Sequence, residues 1–226
     1  DVWLELFEAN ARARGATVLW AQDAAEINRL VLEIAFRHGV RKIVKSKSMV
    51  SEESALDLAI EGAGLEVVET DLGEYILQIN GYEPPSHIVG PALHKSKEEV
   101  TELFHRRHGT PRKEGIEELC REARAVLREH YLTADMGISG GNFFVAETGS
   151  VLLVTNEGNA SLATTLPKVH VAISGIEKIV PTLEDVATLM RLLPRSATGQ
   201  SISNYVDVLT GTRGEGEFHG VDHMYF

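Results

Sequence analysis

The chain is poor in the residue types that would commit it to several large classes of function. It holds one cysteine, Cys120, so it can close no internal disulfide and offers one thiolate where an iron–sulfur centre takes about four. No apolar run approaches the roughly 20 residues that span a bilayer, and the first residues lack the charged-then-apolar order of a secretory signal. Basic residues are in deficit: 22 Lys and Arg face 33 Asp and Glu, a formal charge of -11. That balance argues against non-specific nucleic-acid binding, which needs clustered cations. Aromatics are too few and scattered for a base-stacking surface. There is no Walker loop and no nucleophile elbow; Gly137, Gly140 and Gly141 do not give G-x-G-x-x-G, and Gly211, Gly214 and Gly216 lead into no helix. One cysteine and no export signal together predict a reducing, cytoplasmic setting.

What the chain does have is alternation. Its 226 residues suit one large domain with a full core. Leu4, Leu6, Phe7 and Ala11 approach helical spacing and Gly15 stops them. Residues 17–20 read as a strand. Residues 23–36 read as an amphipathic helix capped by Asp23, and 42–44 as the next strand. Ser51-Glu52-Glu53 opens another helix that ends at Gly62 or Gly64. Short strands are expected at 65–69 and 86–89, and Ser96 with Glu99 forms a capping box for a helix running through Phe104. A longer helix covers 114–131, a strand 168–173, a helix from Pro181 to near Pro194, and an alternating strand 205–209. The last residues, 223–226, read as the middle of a strand. Strand and helix in turn mean an α/β domain, here divided into an N-terminal helical region, 1–38, packing on a body of 39–226.

The richest stretch lies between Met136 and Asn159. Ser139-Gly140-Gly141-Asn142 reads as a tight turn, Glu147-Thr148-Gly149 interrupts an apolar run that resumes at residues 150–154, and Thr155-Asn156-Glu157-Gly158-Asn159 closes it. Two such turns, rich in glycine, hydroxyl and amide groups, bring peptide N–H groups within reach of a ligand. A second candidate, Lys45-Ser46-Lys47-Ser48, follows a strand and precedes a helix, where parallel sheets place ligands. Its ammonium groups, hydroxyls and free helix N–H groups suit a phosphate or carboxylate; equally, the loop is solvated and its serines only cap a helix. Candidate ligand residues are therefore Lys45, Ser46, Lys47, Ser48, Ser139, Gly140, Gly141, Asn142, Thr148, Gly149, Asn156, Gly158 and Asn159. Catalytic residues are unassigned, with Glu147 and Glu157 as weak candidates whose alternative reading is as acceptors for turn N–H groups. No metal site is expected: the pairs His105/His108 and His219/His223 fall short of a closed set of about four ligands. His170 alternates with Val169 and Val171 and so faces the other sheet surface; His87 and His94 are either anion or proton handlers, or structural.

These same segments, with Lys45 to Glu53, Glu69 to Tyr75, Pro84 to Ile88, Pro91 to Lys95 and Gly175 to Thr182, resemble in order the lactate-utilisation (LUD, formerly DUF162) domain family, most closely its LutB type of iron–sulfur subunit. The resemblance implies a three-layer α/β sandwich with a mainly parallel sheet, similar to the ribose-phosphate isomerase and CoA-transferase group. It implies a component of L-lactate oxidation to pyruvate, an electron-transfer subunit whose partners are other lactate-utilisation subunits. It also implies 4Fe-4S clusters in a full-length parent and none in this chain, which departs from the type in lacking the cysteine clusters. A small carboxylate or phosphate is the expected ligand, with no nucleic acid and no membrane span. Left open beside it is a free-standing isomerase or CoA-transferase-like enzyme acting on a phosphorylated or thioester substrate through Glu147 or Glu157, and a purely structural scaffold.

Overall fold

The structure is a computed structural model that describes residues 2–87, 90–155, 157–203 and 205–226. Elements are numbered in chain order. Helices α1 (Val2–Ala13) and α2 (Ala24–Arg37) lead into β1 (Lys42–Lys45), α3 (Met49–Glu53), α4 (Leu56–Gly62) and β2 (Glu66–Glu69). Helices α5 (Leu72–Ile79), α6 (Lys97–His108) and α7 (Ile116–Thr133) follow, then β3 (Met136–Ser139), β4 (Phe143–Val145) and β5 (Ser150–Thr155). The chain continues through α8 (Asn159–Thr165), β6 (Val169–Ala172), β7 (Ile179–Val180), α9 (Leu183–Thr198), β8 (Tyr205–Leu209) and β9 (His223–Tyr225).

Five strands form a wholly parallel sheet in the order β2-β1-β3-β6-β9. Parallel strands are buried on both faces, and successive side chains point opposite ways. Ile43 accordingly packs into a cluster with Val31 and Ile34 of α2 and Leu56 and Ile60 of α4. Its neighbour Val44 packs on the other side with Tyr75, Phe104, Leu119 and Leu127 of α5, α6 and α7. The fold is thus mixed α/β, with a parallel sheet flanked by helices on both faces. A second sheet, β7-β4-β5-β8, holds the antiparallel β4–β5 hairpin. It shares a core with α1, where the Phe7 and Phe144 rings meet edge-on at 5.4 Å.

Connectivity sets where a ligand would go. From β1 the chain crosses through α3 and α4 to β2 on one side; from β2 it crosses through α5 to α7, on the opposite face, to β3 on the other side. The order therefore reverses between β1 and β3, and α/β sheets bind ligands in the crevice outside the carboxyl ends of strands at such a switch point.

Several local expectations shift. Residues 17–20 make a single parallel bridge, Thr17 to Tyr225, rather than a strand, although the Leu19 N–H still donates to the Phe226 carbonyl at 2.8 Å. The helix expected from Ser51 starts earlier, because Ser48 is the residue that caps it, accepting from the Ser51 N–H. Pro194 does not end α9, which runs on to Thr198 before Gly199 stops it in the left-handed conformation. Ser86 and His87 form no strand, and residues 88 and 89 of that expectation lie outside the described residues. Helix α5 was not foreseen at all.

Candidate functional site

The two loops singled out by sequence straddle the switch point. The loop after β1 and the turn after β3 touch directly: the Ser46 N–H donates to the Ile138 carbonyl at 2.9 Å, and Gly140 lies against the Ser48 side chain. With the residues after β5 they line a cleft of about 1190 Å³ that gathers Ser46, Lys47, Ser48, Gly140, Gly141, Asn142, Glu157 and Asn159. A parallel sheet produces this juxtaposition, since β1, β2, β3 and β6 all end at the same edge.

Other candidates are elsewhere. Lys45 is fully buried; its ammonium sits 2.5 Å from a Glu69 carboxylate oxygen and 3.6 Å from Asp57, and donates to Ser51 Oγ at 3.2 Å. It is a cation already matched by acids and faces a separate pocket of about 410 Å³. Ser139 is buried and pairs with His170 Nε2 at 2.8 Å. Thr148 and Gly149 lie at the far end of the β4–β5 hairpin, where Gly149, at φ 67°, approaches the backbone of α1 so closely that a Cβ would come within 2.2 Å of the Ala11 nitrogen. Gly158 is the left-handed N-cap of α8, and Asn156 lies outside the described residues. Glu147 is likewise remote, its carboxylate accepting the Leu183 N–H at the start of α9 at 2.6 Å.

Within the cleft, several expected ligand groups have structural work. Asn142 Oδ1 accepts the Val154 N–H at 2.8 Å, tying the hairpin together, and the Thr155 hydroxyl donates to Asn159 Oδ1 at 2.8 Å. Lys47 pairs with Glu74 at 2.7 Å. Around that pair is a set of carboxyls that sequence reasoning missed. Asp71 caps α5, accepting the Gly73 N–H at 3.1 Å. Burial, followed by its hydrogen bond to Glu74 and the charges of Glu74 and Glu157, pushes Asp71 up to about 8. For Glu74, burial is outweighed by the Asp71 hydrogen bond and by Lys47, which hold it below the ordinary carboxylate range. Burial raises Glu157, whose carboxylate accepts the Leu72 N–H at 3.4 Å. At neutral pH the cleft thus presents a protonated carboxyl, Asp71, beside an ion pair. Asp71 gives its one proton to Glu74, so the charge that the cleft offers a carboxylate or hydroxyl oxygen is that of Lys47. The spacing Asp71-x-x-Glu74 before the apolar Tyr75-Ile76-Leu77 is a helix-start signature that could have exposed both α5 and these acids.

The second cluster follows the same physics. Burial opposes the charge on Lys45, but Glu69 and Asp57 outweigh it and hold the ammonium above its usual range. Glu69 is pushed well up by burial and by the neighbouring Asp57 against the pull of Lys45. His170 is held down at about 3 by burial and stays neutral. His108 bridges Tyr75 and Glu122 at 2.9 and 2.8 Å, and His38 stacks on His223 at 4.2 Å. Among the described residues no group of three or more His, Cys, Asp or Glu is placed to hold a metal, and no helix is long and apolar enough to cross a membrane. Cys120 is exposed on α7; a lone surface thiol does not fit an iron–sulfur cluster.

The model of the LUD domain family matches residues 4–221, and the chain belongs to that family. It is 50% identical over 225 residues to Lactate utilization protein B of Geobacillus sp. (strain WCH70) and to that of Geobacillus kaustophilus (strain HTA426), and 48% identical to that of Bacillus licheniformis. Each match covers 100% of this chain and 47% of the relative; the chain spans about half the length of the curated relatives it matches. Among solved structures, a DUF162 family protein from Deinococcus radiodurans is similar at a TM-score of 0.47 and 15% identity, over 99% of this chain and 94% of that one.

Proposed function

We propose that this chain is the LUD portion of a lactate-utilisation component of the protein B kind, acting in the oxidation of L-lactate to pyruvate. The observation that carries the reading is 50% identity sustained across the whole chain to proteins of that name. In this reading the parent is a cytoplasmic electron-transfer subunit that works with other lactate-utilisation subunits, and its 4Fe-4S clusters are held by residues outside this chain, which has one cysteine. The contribution of this chain's own residues is the cleft. Its small polar loops after β1 and β3 leave room for a small carboxylate, with Lys47 supplying charge. The isomerase or transferase reading has less support, because Glu147 is committed to the start of α9 and lies across β5 from Glu157.

The test is complementation. A Bacillus licheniformis strain lacking its Lactate utilization protein B receives a chimera in which this chain replaces the matching part. Growth on L-lactate as sole carbon source is the expected result; a stable chimera that leaves the strain unable to grow on L-lactate overturns the reading. Calorimetric titration of the purified chain with L-lactate separately tests the cleft: saturable heat supports direct binding, and none removes it.

A further inference from the structure

We propose that the cleft is built for 2-hydroxycarboxylates larger than lactate, those whose remaining substituent is a branched or aromatic hydrocarbon group; the proposal rests on the reading of the cleft as a 2-hydroxy acid site. Lactate is small for the space. The cleft, at about 1190 Å³, is larger than the range of about 300–1,000 Å³ common to sites for drug-sized molecules. Lactate carries a single methyl group, so its carboxylate at Lys47 would leave most of the cleft to water.

The character of the wall changes along its length. At the end made by the parallel sheet stand Ser46, Lys47 and Asn142, on the loops after β1 and β3. At the end made by the second sheet and α9 stand Phe143, Val154, Leu189 and Leu193. The two ends meet within one residue step: Asn142 belongs to the polar turn, Phe143 opens β4, and the Asn142 side chain accepts the Val154 N–H at 2.8 Å. Leu189 and Leu193 are four apart and share a face of α9. Phe143, Val154 and Leu189 pack against the cluster of Val145, Leu152, Val180 and Val186, yet all four apolar wall residues are only half-buried. Helix and sheet therefore leave hydrocarbon surface open inside a concavity, where covering it gains roughly fourfold in affinity per buried carbon. A hydrocarbon alone would leave Lys47 and the polar loops unused, and a small anion alone would leave the wall bare. An acid with a hydrocarbon arm meets both.

The experiment titrates the purified chain, with 13C-labelled leucine methyls, with L-lactate, L-2-hydroxyisocaproate and the uncharged 4-methylpentanol. Hydroxyisocaproate is expected to bind about 10- to 50-fold more tightly than lactate, from its added carbons at roughly fourfold each when fully buried. It is expected to shift the Leu189 and Leu193 methyls saturably while those of Leu58 and Leu77, in the pocket beside Lys45, stay still. Leu193→Gln is expected to cut the preference for hydroxyisocaproate over lactate by about fivefold, whereas Lys47→Met weakens both acids and keeps their ratio. Lactate binding as tightly as hydroxyisocaproate, or more so, overturns the proposal and leaves the lactate reading standing. Saturable binding of hydroxyisocaproate without detectable binding of lactate keeps the proposal and overturns lactate as the cleft's ligand. Equal binding of the alcohol, shifts that bypass Leu189 and Leu193, an unchanged preference in Leu193→Gln, and no response to any of the compounds each overturn the proposal.

Discussion

Replacing Lys45 with methionine removes the one cation from the buried cluster and keeps most of the side-chain volume. Glu69 and Asp57 then share a pocket wall with no positive partner, and Glu69 is 4% exposed. Breaking a buried pair by deleting one member costs about 3–5 kcal/mol, because a charge is left uncompensated. For a domain of this size that is a fall in unfolding temperature of about 6–20 °C, at roughly 2–4 °C per kcal/mol. Urea unfolding followed by circular dichroism gives the same quantity at fixed temperature. The loss should depend on pH in a definite direction. In the variant the Glu69 carboxyl binds its proton more tightly folded than unfolded, so stability is greatest below the unfolded value near about 4.3 and falls as pH rises through the folded one. The deficit relative to the parent is therefore smallest in acid. Adding Glu69→Leu removes the stranded charge and should recover a good part of the loss, since hydrophobic replacement of a buried pair is often neutral. A single variant within about 1 kcal/mol of the parent, or a double variant weaker than the single, refutes the reasoning.

Three further outcomes follow from the same geometry. Asp71, pushed up to about 8, contributes stability that is complete below its unfolded value near about 4 and is lost as pH rises through about 8; Asp71→Asn keeps the cap on α5 and should flatten that slope in unfolding measured from pH 4 to 8, and an unchanged slope would remove Asp71 as its source. Gly137→Ala in β3 drives a methyl to 1.8 Å from the Ala163 carbonyl oxygen of α8. It should cost about 1–3 kcal/mol by urea unfolding, toward the upper end because backbone must move; a neutral result would mean α8 does not approach the sheet so closely. His170, held at about 3, favours the folded state above its unfolded value near about 6.5 and loses that contribution as pH falls toward 3. His170→Phe should reduce the acid sensitivity of unfolding between pH 6.5 and 3, and equal sensitivity would place its origin elsewhere.

The parts of the fold that sequence revealed are those encoded locally. Asp23, Ser96 and Thr182 each accept a backbone N–H three residues on, and that signature is visible in the chain itself. The parallel strands β1, β2 and β6 were readable as short apolar runs between helices, whereas β3, whose Ser139 reads as part of the glycine turn, was not. What could not be read was partnership across the sheet. Lys45 and Lys47 look equivalent in sequence, two lysines in a Lys-Ser-Lys-Ser loop. The register β1 against β2 puts Lys45 opposite Glu69, which buries and neutralises it, while Lys47, two residues on and past the strand's end, reaches the cleft. In the same way Glu147 and Glu157 both flank β5, but only Glu157 lies at the end where β1 and β3 also terminate. Ser139, read as part of the glycine turn, is instead the last residue of β3, and its hydrogen bond to His170 depends on β6, 31 residues on; Asn142 does lie in the turn, bonded to Val154 across the hairpin. The acids Asp71 and Glu74 were passed over because a carboxylate reads as solvated surface until a tertiary structure buries it.

The central claim is that the cleft at the β1/β3 switch point serves lactate use in a parent of the protein B kind. The most direct measurement is growth on L-lactate of the protein B-deficient strain carrying the chimera with Lys47→Met and Glu157→Gln, beside the chimera with Thr148→Ala. The account predicts that the cleft variant, present at normal abundance, supports no growth on L-lactate while the Thr148 variant grows as the unaltered chimera does. Normal growth of the cleft variant would contradict it.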